Sequence, residues 1–279
     1  MKKKDQKINV RWLIIGVVAF LLAGLCICFV INHETQKKAA VKLYDSLETR
    51  DDRKRKDYQP EVSTEGNSET KSSKKIEKQS ETDSFSIETD MPVNITEIQK
   101  NMPDVYAWIE IPGTKINYPI VQRKDDNSYY LDKTPDGSLN IEGSIFSENY
   151  NSKDFTDPVT ILYGHNMKNG DMFGELHKYE DKSFFEDNKE IYIYTKYKKL
   201  TYHIFATVLF DNRHLIESYD FSKEDIFLQY IRDIVDVNDM RSHVDKNISI
   251  VKTDKILTLS TCHGMGSSYR YLLLAVLSE

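Results

Sequence analysis

The sequence predicts a mostly β domain, built as a closed or sandwiched sheet and placed behind one transmembrane helix. One uninterrupted apolar segment lies near the amino terminus. A series of short runs with strand character follows at close spacing in the later part of the chain. An amphipathic helix interrupts these runs before the last two of them. Many short strands in one domain are typical of a sandwich or a barrel.

The apolar segment covers residues 12–31 and contains no charged side chain. A stretch of about 20 apolar residues is what an α-helix needs to cross the hydrocarbon core. Four lysines and an arginine lie in residues 1–11, so the positive-inside tendency predicts a cytoplasmic tail there and an extracellular remainder. A cleaved signal peptide is the alternative, but its apolar region is usually shorter and ends at small residues. We expect a single-pass protein of the cell membrane.

Residues 32–90 are expected to form a charged and polar stalk or linker. The part from His33 to Tyr58 is highly charged, and we interpret it as a plain stalk rather than a solvated helix. Gln59 to Ser84 is dominated by Ser, Thr, Glu and Lys, and it cannot bury enough apolar surface to offset chain entropy. We interpret it as a flexible spacer. The folded domain is therefore expected to span residues 91–279.

A short leading helix is predicted at the start of this domain, because Ile95, Ile98 and Met102 have helical spacing and Pro103 would end the helix. Seven runs with strand character follow it. These runs are Ala107 to Ile111, Ile116 to Gln122, Val159 to Tyr163, Ile191 to Thr195, Thr201 to Phe210, Lys255 to Ser260 and Tyr271 to Leu277.

A second helix is predicted between the late strands. Ser222 and Asp225 have the spacing of a capping box, so the helix is expected to open at Ser222. Its apolar residues recur on one face and favour core packing over a ligand surface. They are Ile226, Phe227, Tyr230, Ile231, Ile234 and Val235.

The net charge is −6, and acidic and basic residues are mixed along most of the chain. Nucleic-acid binding is not expected without a basic stripe. Cys26 and Cys28 lie in the apolar segment, which leaves Cys262 as the single cysteine of the exported part. An unpaired exported thiol is either a reactive group or a small buried hydrophobe, and the cysteine count alone leaves both open.

The surroundings of Cys262 favour reactivity. An apolar strand runs into Cys262, a flexible stretch follows, and a second apolar strand begins near Arg270. A hairpin would place the thiol beside the guanidinium at the end of the sheet. Arg270 would then donate to a carbonyl oxygen that gains negative charge in an acyl transfer, although a surface salt bridge is its alternative role.

A general acid or base must come from a histidine elsewhere in the chain. His165 is best placed, because it ends an apolar strand after Gly164, and His263 competes because it adjoins Cys262. An imidazolium near the thiol would lower the thiol pKa and later protonate a leaving amine. No metal site is expected, since the exported part has no second cysteine and no close histidine pair, and no cofactor is expected either.

At these residues the sequence resembles the sortases, the Gram-positive transpeptidases whose Thr-Leu-x-Thr-Cys hallmark stands here as Thr258–Cys262. The family's histidine and arginine match His165 and Arg270. The resemblance covers residues 91–279 and is closest to class B. Further similar segments are Tyr106–Thr114, Tyr118–Val121, Asp126–Leu131 and Gly143–Phe146.

The resemblance implies an eight-stranded β-barrel with a leading helix and a helix inserted near residues 222 to 238. It implies that Cys262 attacks the carbonyl of a threonine in the carboxy-terminal sorting signal of a secreted protein. His165 would protonate the departing amine, and Arg270 would hold the signal and stabilise the oxyanion. An amino group of a peptidoglycan precursor, or of another protein, would then resolve the thioacyl intermediate.

By position in the matching motifs, five residues are similar to the family's signal-binding residues. They are Asn127, Leu131, Tyr230, Ile231 and Ser260. The chain departs from better-known class B members in two features, His263 directly after the cysteine and only seven residues between Cys262 and Arg270. Two rival functions stay open at this point: a cysteine hydrolase that uses water as the acceptor, and a non-catalytic membrane-tethered binding protein.

Overall fold

The computed structural model describes residues 10–47, 91–264 and 268–278. Its helices are α1 Val10–Leu47, α2 Ile95–Gln99, α3 Lys182–Asp187, α4 Leu215–Ser218 and α5 Glu224–Val235. Its strands are β1 Val105–Glu110, β2 Asn117–Val121, β3 Ile145–Phe146, β4 Val159–Tyr163, β5 Glu190–Thr195, β6 Lys199–Asp211, β7 His243–Val244, β8 Ile256–Cys262 and β9 Tyr269–Leu277. The predicted spacer from Gln59 to Ser84 and the basic residues before Val10 lie outside the described residues.

Eight strands close into a barrel. They follow one another in the order β5-β1-β2-β3-β4-β8-β9-β6, and β5 pairs with β6 to complete the ring. The pairs β2–β3 and β4–β8 are parallel, and the other pairs of the ring are antiparallel. The predicted mostly β barrel with a leading helix and a helix between late strands is confirmed. β3 and β7 were not predicted, because two residues each carry no alternation to recognise.

Side chains alternate between the two faces of β8. Leu257 and Leu259 belong to the core inside the barrel, to which strands from all around the ring contribute. Ile256 belongs instead to a second core between the outer surface of the barrel and α5. Thr258, Ser260 and Cys262 have the same parity as Ile256, so the end of β8 directs the Cys262 side chain to the outer face.

The inserted helix α5 covers this outer face with Phe227, Tyr230, Ile231 and Ile234, as its apolar periodicity predicted. Its predicted start is wrong. The residue at the amino-terminal boundary is Lys223, and no side chain caps the helix there. The Ser222 hydroxyl donates instead to Asp220 at 2.5 Å, and Ser222 lies outside the helix.

α1 is the described helix that is long and apolar enough to cross a membrane. From Ile15 onward it contains an 18-residue window of mean hydropathy 2.6, and none of that window is buried. The helix continues without a break to Leu47. Ala40 is buried, and Tyr44 packs edge-on against Tyr118 of the barrel. The interpretation of this part as a plain stalk is therefore wrong up to Leu47.

Candidate active site

Cys262 and Arg270 lie directly opposite each other where β8 and β9 leave the barrel. Nη1 of Arg270 donates to Sγ of Cys262 at 3.3 Å. Opposed residues of an antiparallel pair project from the same face, so the predicted hairpin explains this contact. A guanidinium keeps its charge at every relevant pH, so a fixed positive group lies beside the Cys262 sulfur.

The end of β4 brings His165 to the same edge of the barrel. β4 runs parallel to β8, and Tyr163 is paired with Ser260. The chains stay together beyond that pair, because the backbone N–H of Gly164 donates to the Ser260 carbonyl at 3.3 Å. His165 and Cys262 each follow the paired residues by two positions. The register therefore brings the backbone of His165 level with that of Cys262, although 96 residues separate them in the sequence.

Gly164 has a packing reason to precede His165. A Cβ atom at this position would lie 2.5 Å from Cδ1 of Ile145 and 2.8 Å from the Phe173 ring. These distances are far below van der Waals contact, so a larger residue would push the end of β4 away. The absence of a side chain at position 164 thus allows the segment before His165 to lie against the barrel.

The imidazole of His165 is oriented by the loop that follows Asn127. Nε2 of His165 lies 2.7 Å from the carbonyl oxygen of Leu131. A carbonyl only accepts, so Nε2 carries a proton and donates it. Nδ1 is then the ring nitrogen left for a further contact, and the bond to Leu131 fixes the plane of the ring.

His263 lies on the opposite side of the strand end from the Cys262 side chain. Its Nε2 accepts from Nη1 of Arg241 at 2.8 Å, and its Nδ1 lies 3.8 Å from Oε1 of Glu180. Asp239 holds the same Arg241. Adjacent residues of an extended chain point to opposite faces, which separates His263 from the thiol. His263 thus belongs to a hydrogen-bond network with Arg241 and Asp239.

Asn166 and His177 contact the main chain of the predicted nucleophile. Nδ2 of Asn166 donates to the Cys262 carbonyl at 2.9 Å, and Nε2 of His177 lies 3.3 Å from the same oxygen. Nδ1 of His177 is 2.6 Å from Glu180. The sequence reasoning did not find these residues. The position of Asn166 directly after the strand-end histidine was the available signal.

His177, Glu180 and His263 are the group of described residues that could hold a metal ion, with ligand atoms within 4.8 Å of one another. Arg241 only donates, so His263 accepts through Nε2 and keeps its proton on Nδ1, the atom that faces the group. The guanidinium also adds positive charge beside the group. We therefore describe it as a hydrogen-bond network.

A groove adjoins Arg270 on the outer face of the barrel. Its floor includes Ser260 and Tyr163, and Asp211, Arg213 and His214 lie at its rim. The carboxylate of Asp211 accepts from the Arg213 side chain, which lowers the pKa of Asp211. The rim charges are thus paired within the groove, and Arg270 remains directed at Cys262.

Burial raises the pKa of Tyr163, and the nearby Glu148 carboxylate raises it further. The phenol therefore stays neutral and donates to Glu148 at 3.2 Å. Glu148 also contacts Nε2 of His214 at 2.9 Å. This chain of contacts links the floor of the groove to its rim.

Of the five predicted signal-binding residues, three lie at the groove, beside His165 or in the neighbouring loop, and two lie in the core. Ser260 lines the groove, and Leu131 is 44% exposed beside His165. Asn127 anchors the neighbouring loop by accepting from the Asn149 N–H at 2.8 Å. Tyr230 and Ile231 belong to α5 and are buried in the core between that helix and the barrel. The Tyr230 hydroxyl is hydrogen-bonded to the Thr258 hydroxyl at 3.0 Å. In this structure these two residues pack the barrel and do not line the groove.

A family model for the sortase domain matches residues 109–278, which extend from β1 to the end of β9. The chain belongs to the sortase family. Sortase B of Listeria monocytogenes is 36% identical over 179 residues, which cover 60% of this chain and 66% of that protein. The chain thus spans just under two thirds of the length of this curated relative.

Solved structures of class B sortases share the fold. A mutant form of Clostridium perfringens sortase B has a TM-score of 0.60 at 28% identity, and the match covers 66% of this sortase and 86% of that chain. A Staphylococcus aureus sortase B–substrate complex has a TM-score of 0.59 at 28% identity, and it covers 66% of this sortase and 84% of that chain. The resemblance inferred from the sequence motifs is therefore confirmed at the level of family and fold.

Proposed function

We propose that this sortase is a cysteine transpeptidase, with Cys262 as nucleophile, His165 as general acid and base, and Arg270 as oxyanion donor. It cleaves the carboxy-terminal sorting signal of secreted proteins after a threonine and transfers the protein to an amino group of the cell wall. The observation that carries the proposal is the 3.3 Å contact between Arg270 and the Cys262 sulfur. The parallel register of β4 and β8 supports the role of His165.

In the first step the Cys262 thiolate attacks the carbonyl carbon of the threonine. Negative charge moves to the carbonyl oxygen, where the guanidinium of Arg270 stabilises it. The carbon–nitrogen bond then breaks, and the leaving amine takes a proton from His165. The acyl group now bonded to the Cys262 sulfur is the thioacyl intermediate. In the second step an acceptor amine attacks this thioester carbon, gives a proton to His165, and releases the thiolate.

The partners follow from the two steps. The donor is a secreted protein that bears a sorting signal, and the acceptor is a peptidoglycan precursor or another amine. We propose that residues 12–31 anchor the enzyme in the cell membrane, with residues 1–11 in the cytoplasm and residues 91–279 as the extracellular catalytic domain. The apolar, unburied part of α1 supports this arrangement.

A peptide screen tests the reaction and the substrate together. The full chain in nanodiscs is incubated with a library of sorting-signal peptides and an amine, and the products are analysed by mass spectrometry. We expect an amide product and an acyl adduct on Cys262, both of which are lost in Cys262→Ala. Hydrolysed peptide as the only product under every amine tried would favour a hydrolase. Unchanged product formation by Cys262→Ala would refute the assignment of the nucleophile.

A further inference from the structure

The loop formed by residues 132–143 has an inverted arrangement of polar and apolar side chains. Leu139 is 62% exposed and Ile141 is 56% exposed. Asn140 and Glu142, which alternate with them, are each only 3% exposed. In water the apolar residues of such a segment would be expected inside and the carboxylate outside.

This arrangement is built into the loop. The N–H of Asn140 donates to the Asp132 carbonyl at 2.9 Å, and the N–H of Glu142 donates to the Asn140 side chain at 2.9 Å. The N–H of Gly143 donates to the Asn140 carbonyl at 2.9 Å. Asn140 thus ties the loop together from within and leaves its two apolar neighbours outside.

Contacts with α1 hold this loop close to the end of the apolar segment. Nζ of Lys37 lies 4.0 Å from Oε1 of Glu142, and the Tyr44 hydroxyl donates to the Gly143 carbonyl at 3.3 Å. Lys37 is six residues beyond Ile31, which is about 9 Å along a helix. The polar interface of a bilayer is about 5–8 Å thick on each side of the hydrocarbon core. Glu142 therefore lies near the height of the lipid headgroups.

The direction of the loop brings Ile141 closer still. Gly143 contacts Tyr44, which is farther along α1 from the apolar segment than Lys37, the residue that Glu142 contacts. Passing from Gly143 to Glu142 the chain thus descends toward the membrane, and the turn that the Gly143 N–H closes on the Asn140 carbonyl places Ile141 beside Glu142 at its tip.

We propose that Leu139 and Ile141 insert into the outer lipid interface and hold the barrel at a fixed height and orientation on the membrane. The inference rests on the proposed membrane anchor. Apolar side chains at the interface gain by leaving water, and a second contact added to the α1 helix restricts rotation of the domain. The Leu131 carbonyl that orients His165 directly precedes this loop. The contact therefore places the candidate active site beside the membrane surface.

Tryptophan quenching by lipids tests the contact. The chain has two tryptophans, Trp12 in the apolar segment and Trp108, which is 1% exposed inside the domain. The full chain is placed in nanodiscs whose phosphatidylcholine is brominated in the upper acyl chain. Leu139→Trp in a Trp12→Phe background reports on the loop. The matched control is Tyr197→Trp in the same background, because Tyr197 is 78% exposed in the turn between β5 and β6.

We expect the tryptophan at position 139 to lose intensity and shift to shorter wavelength in brominated nanodiscs, and the one at position 197 to do neither. Quenching of Trp12 in the otherwise native chain, together with no quenching at position 139, would overturn the inference and leave the anchor intact. Equal quenching at positions 139 and 197 would also overturn it, because the barrel would then contact lipid without preference. No quenching of Trp12 would refute the proposed anchor and this inference with it.

A second variant tests the consequence for activity. Leu139→Ser combined with Ile141→Ser should keep the turnover of a soluble signal peptide and lose turnover several-fold on a substrate held in the same nanodisc. An equal loss on both substrates would assign the two residues to peptide binding and contradict a membrane role. Failure of both reactions in the unaltered enzyme as well would instead count against the proposed function.

Discussion

The Nη1 atom of Arg270 lies 3.3 Å from the Cys262 sulfur because the two residues form an opposed pair at the last rung of β8 and β9. The backbone register, rather than a loop, sets this contact. A guanidinium held in this way contacts the sulfur before any substrate binds. In the proposed mechanism it would also be close to the carbonyl oxygen that gains charge.

Arg270→Lys is expected to lower kcat/KM for peptide transfer by about 100-fold to 1000-fold, the cost of losing one oxyanion donor. Lysine keeps the charge but lacks the fixed, forked donors. Steady-state kinetics with a fluorogenic signal peptide measure the loss, and circular dichroism checks the fold. Arg213→Lys is the matched control, since Arg213 lies in the same groove but pairs with Asp211. Full activity of Arg270→Lys would contradict the assigned role.

His263→Ala is expected to leave the pH profile of kcat/KM unchanged, because the His263 ring points away from the thiol toward Arg241 and Glu180. Its effect should be a lower melting temperature, since Arg241 loses its His263 acceptor and keeps Asp239. His165→Ala is the comparison variant and should lose activity without unfolding, because His165 is only partly buried at a strand end. A displaced limb of the His263→Ala profile would show that His263 tunes the thiol after all.

Asn166→Ala is expected to reduce kcat by about 10-fold with little change in KM, since a displacement of 1 Å at a reacting group can cost about 100-fold. Asn166 donates to the Cys262 carbonyl and so ties the residue after His165 to the nucleophile. Asn166 acts by positioning Cys262. The pH dependence of the Cys262 alkylation rate should therefore differ between Asn166→Ala and the unaltered enzyme. Asn169→Ala is the control, because Asn169 lies in the same loop and pairs with Asp171. Equal effects of both substitutions would show a general loosening of the loop.

Local patterns in the sequence predicted the Cys262–Arg270 contact, because a short hairpin fixes its own register. The reason for the proximity of His165 was not predictable in the same way. It depends on a parallel pairing of β4 with β8, and no short-range signal specifies the register of strands so far apart. The strand-end position of His165 and the family resemblance are the sequence features that predict its role.

The errors have physical causes that can be named. Ser222 has capping-box spacing, but Asp220 accepts its hydroxyl hydrogen bond and keeps it outside the helix. The high charge of the part from His33 to Tyr58 favoured the prediction of a plain stalk. Ala40, Tyr44 and Leu47 nevertheless recur at helical spacing and face the domain, and that periodicity was the available signal.

Tyr230→Phe is expected to lower the free energy of unfolding by about 1–3 kcal/mol, because the Thr258 hydroxyl would be left buried without its partner. KM for a signal peptide should not change, since the Tyr230 side chain is fully buried between α5 and the barrel. Urea denaturation and peptide kinetics on one preparation separate the two effects. A raised KM with unaltered stability would instead support the signal-binding role that family resemblance gives to Tyr230.

Glu142→Gln is expected to raise the melting temperature of the full chain at neutral pH. Burial raises the pKa of Glu142, Asp171 raises it further, and Lys37 only partly opposes them. The folded chain therefore binds this proton more tightly than the unfolded chain, so its stability falls as pH rises from the ordinary pKa of 4.5 through the folded value. The penalty of a buried carboxylate is fully present above that window, and glutamine does not carry it.

The gain from Glu142→Gln should shrink as pH falls through this window and be lost below 4.5, where the native carboxyl is protonated in both states. Calorimetry in nanodiscs across this range measures the difference. Asp171→Asn is the comparison variant, because Asp171 contacts the same Lys37 and is more exposed than Glu142. A variant that is less stable than the native chain at neutral pH would show that the ion pair with Lys37 outweighs the cost of burial, and that α1 is held to the barrel by that pair.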